Sequence, residues 1–187
     1  IMRYSKEHKR ESRDRIVEAA RFLFRQRGFD GASIDQVMNE AGLTRGAFYA
    51  HFDSKDDLIR DVLEIEAGLV GALRRAAETE EPLMAARTAF GSYLAPANRA
   101  DTVGGCPLVA HPGDAIRGDS IRRDGYTTRL QALVESVESC VGDGSSDDAL
   151  LISVLAVGGA LLSGASSDLS LADRIEKVCL EKIEEIL

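Results

Sequence analysis

Apolar positions between residues 33 and 58 recur at helical spacing in short, punctuated runs. Ile34, Val37, Met38 and Ala41 fall at i, i+3, i+4 and i+7, which predicts a helix with one buried face. Ser33 and Gln36 read as a capping box at its start, and Gly42 can end it in a left-handed cap. A second helix of barely two turns follows. Phe48 and Phe52 lie four apart and share its inner face, and Leu43 packs on the same side. The other face carries Thr44, Arg45, Tyr49 and Ala50, with His51 and Lys55 just beyond. A small, polar, cationic face suits a helix that lies against nucleic acid. Two short helices joined by a tight turn at Gly42 make a helix-turn-helix.

Downstream, Leu58, Val62, Ile65, Leu69 and Leu73 continue one stripe, predicting a single helix from Ser54 to about Glu78. Pro82 fits the first turn of a fifth helix with Met84, Phe90 and Leu94 among its apolar positions. Residues 97–105 read as a loop, with Asn98, Asp101 and paired glycines. Pro107 opens a short sixth helix that Pro112 and Gly113 interrupt. A seventh spans about 120–141, burying Tyr126, Leu130, Leu133, Val134 and Val137. Gly142-Asp143-Gly144-Ser145-Ser146 is a turn, and final helices follow at about 147–165 and 170–187. The first of these carries no charge from Ala149 to Ser167, long enough to suggest a membrane span. Serines and glycines dilute it and no cationic flanks anchor it, so a helix buried in protein is the preferred reading. The last helix carries Ile175, Val178, Cys179, Ile183 and Ile186 along one side. The pair either closes the chain's own core or meets a second copy in a four-helix interface through Leu151, Leu155, Gly158, Leu162, Ile175, Cys179 and Ile183.

The net charge of −8 looks wrong for a nucleic-acid binder until it is divided along the chain. Residues 1–52 carry +3 and residues 53–187 carry −11, so basic character is concentrated at the helix-turn-helix. Arg3, Lys6, Lys9, Arg10, Arg13 and Arg15 form a leading cluster, either a solvated arm or a set of phosphate contacts. Four prolines in 187 residues, with Ala, Leu, Glu and Arg abundant, predict an all-α protein large enough for a real core. Cys106, Cys140 and Cys179 are odd in number and widely spaced, which favours a reducing cytoplasm over a disulfide framework or metal site. The charged N-terminus gives no expectation of a secretory leader.

Residues 13–58 resemble the N-terminal domain of the TetR family of bacterial transcriptional regulators. The resemblance is carried by Ile16, Ala19, Ala20, Leu23, Phe24, Gly28 and Phe29 in the lead helix and its exit. It continues through Ser33, Ile34, Val37, Ala41, Gly42, Thr44, Gly46, Tyr49, Phe52, Lys55 and Leu58. It implies a DNA-binding domain over residues 1–55 and a helical ligand-binding and dimerisation domain over 56–187. It also implies a palindromic double-stranded DNA operator, a homodimer built on the two final helices, and a small-molecule effector. Candidate DNA contacts are Ser33, Thr44, Arg45, Gly46, Ala47, Tyr49, Ala50, His51 and Lys55. Arg45 is the first choice for reading a base edge, and Ala47 and Ala50 are small enough for close approach. His51 matches a family position that donates to a phosphate; a cationic helix cap is the alternative.

Chemistry in the body is sparse. Gly104-Gly105-Cys106-Pro107-Leu108 places a thiol at a helix start, with His111 five residues on. A structural cysteine, a redox- or electrophile-sensing thiol and a Cys-His hydrolase all compete for it. The hydrolase lacks a third orienting residue. Some TetR-family members are similar in carrying a Gly-Cys pair there. The expected protein is a cytoplasmic, ligand-responsive repressor and not an enzyme, with no catalytic residues, cofactor, metal or membrane partner. Its effector would be a small apolar or aromatic, uncharged molecule lodged among Phe90, Tyr93, Leu94, Cys106, Leu108, Tyr126 and Leu130, with the tyrosines as donors. The alternative from another class is a helical binding protein or enzyme with a vestigial DNA-binding head.

Overall fold

The computed structural model describes residues 6–64, 68–141 and 146–187, and only the backbone of Lys6, Val103 and Gly104. Arg3, Ile65 and the expected turn at residues 142–145 lie outside the described residues. Within them, all regular structure is helical: α1 (Lys6–Gly31), α2 (Ile34–Glu40), α3 (Arg45–Phe48), α4 (Lys55–Glu64), α5 (Gly68–Ala77), α6 (Pro82–Tyr93), α7 (Arg99–Gly105), α8 (Pro107–Ala110), α9 (Pro112–Arg117), α10 (Ser120–Val141), α11 (Ser146–Ala165) and α12 (Leu169–Ile186), with one 3-10 turn at Pro96–Asn98. The chain divides into two compact units. The first holds α1–α4 with residues 113–125, and the second holds α5–α8 with residues 126–187.

In the first unit the inner faces of α1 to α4 close on one core. Ile16, Ala20, Phe24, Phe29, Phe48, Leu58 and Ile59 are buried to within about 1 %. Each phenylalanine so buried contributes about 1.5–3 kcal/mol. Gly28 leaves helical geometry at φ 70, ψ 171 and kinks α1. That turn lets Phe29 fold back edge-on to Phe24, with ring centroids 5.3 Å apart. The guanidinium of Arg15 donates to the Ala41 carbonyl at 2.6 Å, satisfying the end of α2.

In the second unit Leu69, Leu73, Phe90, Leu94, Leu133, Val137, Ile152, Ala156 and Ile183 form the core. The helix expected from Ser54 to Glu78 is instead two helices. Gly68 opens α5 at φ +64, a left-handed conformation that a right-handed helix cannot carry through. The loop expected at 97–105 is largely helical. Arg99, at the start of α7, grips Glu176 of α12 with two hydrogen bonds of 2.6 and 2.8 Å, and Asp173 with a third of 2.5 Å. Thr102 donates to the Tyr93 carbonyl at 3.0 Å. Met84, expected inside, is exposed on α6. Helix α11 buries one side, including Ile152, Ala156, Gly159 and Ala160, and leaves Leu150, Leu151, Val154 and Leu162 exposed. It is long and apolar enough to cross a membrane by length and composition alone.

Candidate nucleic-acid interface

The helix-turn-helix is assembled by local rules. Ser33 Oγ accepts from the Gln36 N–H at 3.2 Å, and Gln36 Oε1 accepts from the Ser33 N–H at 2.9 Å. Gly42 turns the chain at φ +64. Helix α3 is short, but its backbone bonding continues, with His51 N–H and Phe52 N–H both donating to the Phe48 carbonyl at 2.9 and 3.0 Å. Phe48 and Phe52 are buried with ring centroids 5.5 Å apart, and Leu43 packs on the same core. Their burial turns the rest of the unit outward. Ser33, Thr44, Arg45, Gly46, Tyr49 and Ala50 are exposed, and Tyr49 reaches 55 %. Ala47, His51 and Lys55 are half-buried, Ala47 against the core.

Side-chain chemistry differs along this face. Thr44 stands at the N-cap of α3 without using its hydroxyl in the cap. Arg45 Nη1 donates to both oxygens of Asp35, at 3.0 and 2.7 Å. The neighbouring Tyr49 hydroxyl, and then Asp35, raise the Arg45 pKa further above its ordinary value. A Cβ built on Gly46 meets no atom within 4 Å, so the chain's own packing does not require glycine there. His51 Nε2 and Ser12 Oγ share a hydrogen bond of 2.9 Å, while Nδ1 is buried without a hydrogen-bond partner. Burial, and then the positive charges of Lys9 and Arg13, lower the His51 pKa. That shift favours the neutral imidazole over the cationic helix cap that was the alternative for this residue. Burial also lowers the Lys55 pKa, partly offset by Asp30. Its ammonium lies 5.9 Å from the centre of the Phe24 ring.

The leading basic cluster splits in two. Arg13 pairs with Asp61 and covers the Phe52 ring at 5.3 Å, and Arg15 is spent on the α2 carbonyl. Those two hold the unit together, while Lys9 and Arg10 are exposed beside it.

The effector candidates come together in the second unit. Phe90, Tyr93, Leu94, Cys106 and Leu108 are buried in one cluster, with Tyr126 and Leu130 packed against it. They are close-packed, so a ligand among them must displace side chains. Tyr126 donates to the Leu108 carbonyl at 2.8 Å. The Tyr93 hydroxyl is buried without a hydrogen-bond partner among the described residues. Burial, and then the adjacent Cys106, push its pKa well up. Tyr93 also lines a surface cavity of about 240 Å³ with Gly68, Ala72, Ala89, Thr102 and Gly105. Gly68 lies so close to Cys106 that a Cβ there would stand 2.9 Å from its sulfur. Arg129, buried in the same helix as Tyr126, went unnoticed in the sequence. Its place three residues after Tyr126 and four before Leu133, on the apolar stripe, was the available signal.

All three cysteines are free thiols. Burial raises the pKa of Cys140 and of Cys179, and Cys179 packs against Gly159. Among the interface candidates, Leu151 and Leu162 are exposed, and Leu155, Gly158, Ile175 and Cys179 are half-buried. Ile183 is wholly inside the chain's own core, so it supports that face rather than lining it. A Cβ on Gly158 meets nothing within 4 Å, whereas one on Gly159 would strike Cys179 and Leu94.

Residues 16–62 match the family described as bacterial regulatory proteins, tetR family. The chain is 34 % identical over 82 residues to the transcriptional regulator AcrR of Shigella flexneri, covering 44 % of this chain and 38 % of that one. It is 36 % identical over 81 residues to TtgR of Pseudomonas putida, covering 43 % and 39 %. The matched part therefore spans less than half the length of these relatives. Among solved structures, a TetR-family regulator from Cytophaga hutchinsonii superposes with a TM-score of 0.76 at 19 % identity, covering 99 % of this chain and 98 % of that one. The reduced form of E. coli NemR gives 0.74 at 18 %, covering 94 % and 96 %, and a SmeT–triclosan complex 0.69 at 16 %, covering 93 % and 90 %.

Proposed function

Because the chain belongs to the TetR family of bacterial regulatory proteins through residues 16–62, we propose that it is a cytoplasmic DNA-binding transcriptional regulator, a repressor that releases its operator when a small molecule binds the body. One observation carries the DNA reading. The helix-turn-helix buries Val37, Met38, Phe48 and Phe52 and turns Thr44, Arg45, Gly46, Tyr49 and Ala50 outward together. That face suits a major groove, with Arg45 at a base edge and Tyr49, His51 and Lys55 toward phosphates. Residues to about 55 read DNA, and the remainder binds effector and partner.

A second copy of the chain covers the exposed leucines of α11. Leu151 and Leu162 with Gly158 form a strip where a partner helix can approach closely, and closure about a two-fold axis presents two heads to a palindromic site. The effector is a small, mainly apolar molecule with one acceptor for the Tyr93 hydroxyl, since Tyr126 already donates to Leu108. The test is selection of duplexes from a randomised pool, followed by mobility shifts at two salt concentrations. A palindromic consensus with salt-sensitive affinity supports the reading. A folded dimer that selects no duplex refutes it and leaves a helical binding protein with a vestigial head.

A thiol-based response at Cys106 is the second reading, favoured by the seat of Gly68 against that sulfur. Any group added to the thiol must move the first residue of α5. Induction by an electrophile that survives Cys106→Ser refutes it.

A further inference from the structure

Four small residues stand where three helices of the second unit meet. Gly68 and Ala72 of α5, Ala89 of α6 and Gly105 of α7 line the surface cavity of about 240 Å³ that Tyr93 also borders. The chain does not fill it. Gly68 adopts φ +64, and a Cβ there would stand 2.8 Å from the Cys106 Cα, so no larger residue fits. A Cβ on Gly105 meets no atom within 4 Å, which leaves that wall open. The walls are tied in place. Asn98 Nδ2 donates to the Ser92 carbonyl at 3.0 Å, and the Thr102 hydroxyl donates to the Tyr93 carbonyl at 3.0 Å, lacing the end of α6 to the segment that follows it. Arg99 anchors that segment to Glu176 and Asp173 of α12. A cavity held by its own hydrogen bonds receives a ligand without the side-chain displacement that the close-packed cluster beside it requires.

Its polar groups are sorted by depth. Among the described residues the charged lining is Arg75 and Asp101, exposed and opposite in sign. Tyr93 is 6 % exposed, and its hydroxyl is buried without a hydrogen-bond partner among the described residues. An unpaired buried hydroxyl is costly, and an acceptor carried in by a ligand recovers that cost. Burial, and then the adjacent Cys106, push the Tyr93 pKa well up, so near neutral pH this hydroxyl is a donor and not an anion. Size sets the other limit. A dry cavity of about 150 Å³ admits one benzene ring, so one of about 240 Å³ admits a single ring with a short substituent.

We infer that this cavity is a built site for an uncharged, one-ring ketone or aldehyde, with the ring between α5 and α6 and the carbonyl oxygen accepting from Tyr93. The inference deepens the effector reading, and it rests on that reading only for what binding does to DNA. A carbonyl flanked by two rings does not fit. Its oxygen reaches Tyr93 only if the inner ring enters space that Gly68 and Cys106 already fill.

The experiment titrates acetophenone into the full chain, by protein NMR or calorimetry, beside ethylbenzene and benzophenone. Ethylbenzene keeps the ring and loses the acceptor, and it binds roughly tenfold more weakly than acetophenone. Benzophenone also binds more weakly than acetophenone. Tyr93→Phe lowers acetophenone affinity roughly tenfold and leaves ethylbenzene unchanged, a split that a merely structural hydroxyl does not produce. Ala72→Leu fills the cavity and abolishes binding of both. If Ala72→Leu does not fold, Ala72→Val takes its place and weakens both.

Absence of saturable acetophenone binding overturns the site, as does a Tyr93→Phe variant that binds both probes as before. Benzophenone as tight as acetophenone overturns the size limit, and unchanged binding in the Ala72 variant places the probe elsewhere. The effector role is judged separately, with a duplex selected from a randomised pool in the absence of any probe. Acetophenone that binds through Tyr93 yet does not release that duplex leaves the site standing and removes it as the effector site. A chain that selects no duplex defeats the DNA reading alone, and the titrations still decide the site.

Discussion

Arg45→Ala isolates base reading from phosphate binding. In the free chain the Arg45 guanidinium is held by Asp35 at 2.7 and 3.0 Å, and both side chains are more than half exposed. An exposed pair of this kind is weak, and Arg45 must give it up before it reaches a base. A bidentate contact to guanine returns about 1–3 kcal/mol of discrimination. Removing Arg45 therefore costs operator affinity up to about 3 kcal/mol per half-site, and the loss falls on one base pair. Asp35→Asn is the complementary change. It weakens the competing pair and removes a negative charge near the phosphates, so operator affinity rises by up to roughly fivefold. The assay is fluorescence anisotropy on the selected duplex and on single-base-pair variants, at one fixed salt concentration. Arg45→Ala should flatten the preference at one symmetric position and leave the others intact. Loss spread evenly over all duplexes, with every preference retained, would show that Arg45 contacts only the backbone and refute the assignment.

Gly46→Ala should stabilise the fold by up to about 1 kcal/mol, because alanine favours helix and the site is open, yet weaken DNA binding. Denaturant melts and mobility shifts check the two halves, and unchanged DNA affinity removes Gly46 from the interface. Leu162→Glu, at a residue 61 % exposed, should leave the chain helical but halve its mass in sedimentation. A charge at Leu155, packed partly against the core, should also cost stability. A Leu162→Glu dimer as tight as the original moves the interface elsewhere. His51 has a folded pKa below its unfolded value, so the unfolded chain binds more protons below about pH 6.5. Stability should fall as the pH drops through that window, and fall less in His51→Gln. Parallel thermal melts between pH 7.5 and 5.5 read the difference, and identical slopes refute the assignment.

The helix-turn-helix was legible in the amino-acid sequence because each of its decisions is local. Ser33 and Gln36 cap over three residues, Gly42 turns within one, and Phe48 and Phe52 define an inner face by their spacing alone. Once that inner face is known, the exposed face follows by exclusion. Helices α10, α11 and α12 were legible for the same reason, their length and periodicity outweighing any single residue. What the sequence misread depended on distant partners. The stripe through Leu58 and Leu73 gave no warning that Gly68 adopts φ +64, because a glycine in an apolar run fits a helix equally well. Residues 99–105 read as a loop from their glycines and polar residues. They are helical because Arg99 finds Glu176 and Asp173 more than seventy positions away. Arg45's partner Asp35 and the burial that lowers the His51 pKa became visible only with neighbouring side chains in place. Asp114 is the clearest case. Nothing around it in the chain marks it, and its hydrogen bond forms because Gly28 turns the chain so that the Phe29 N–H meets a carboxylate brought from 85 residues away. Caps, turns and periodic faces are short-range preferences carried by each segment itself. Buried ion pairs and borrowed hydrogen-bond acceptors are satisfied by whichever group the folded chain brings near, and only tertiary structure decides which group that is.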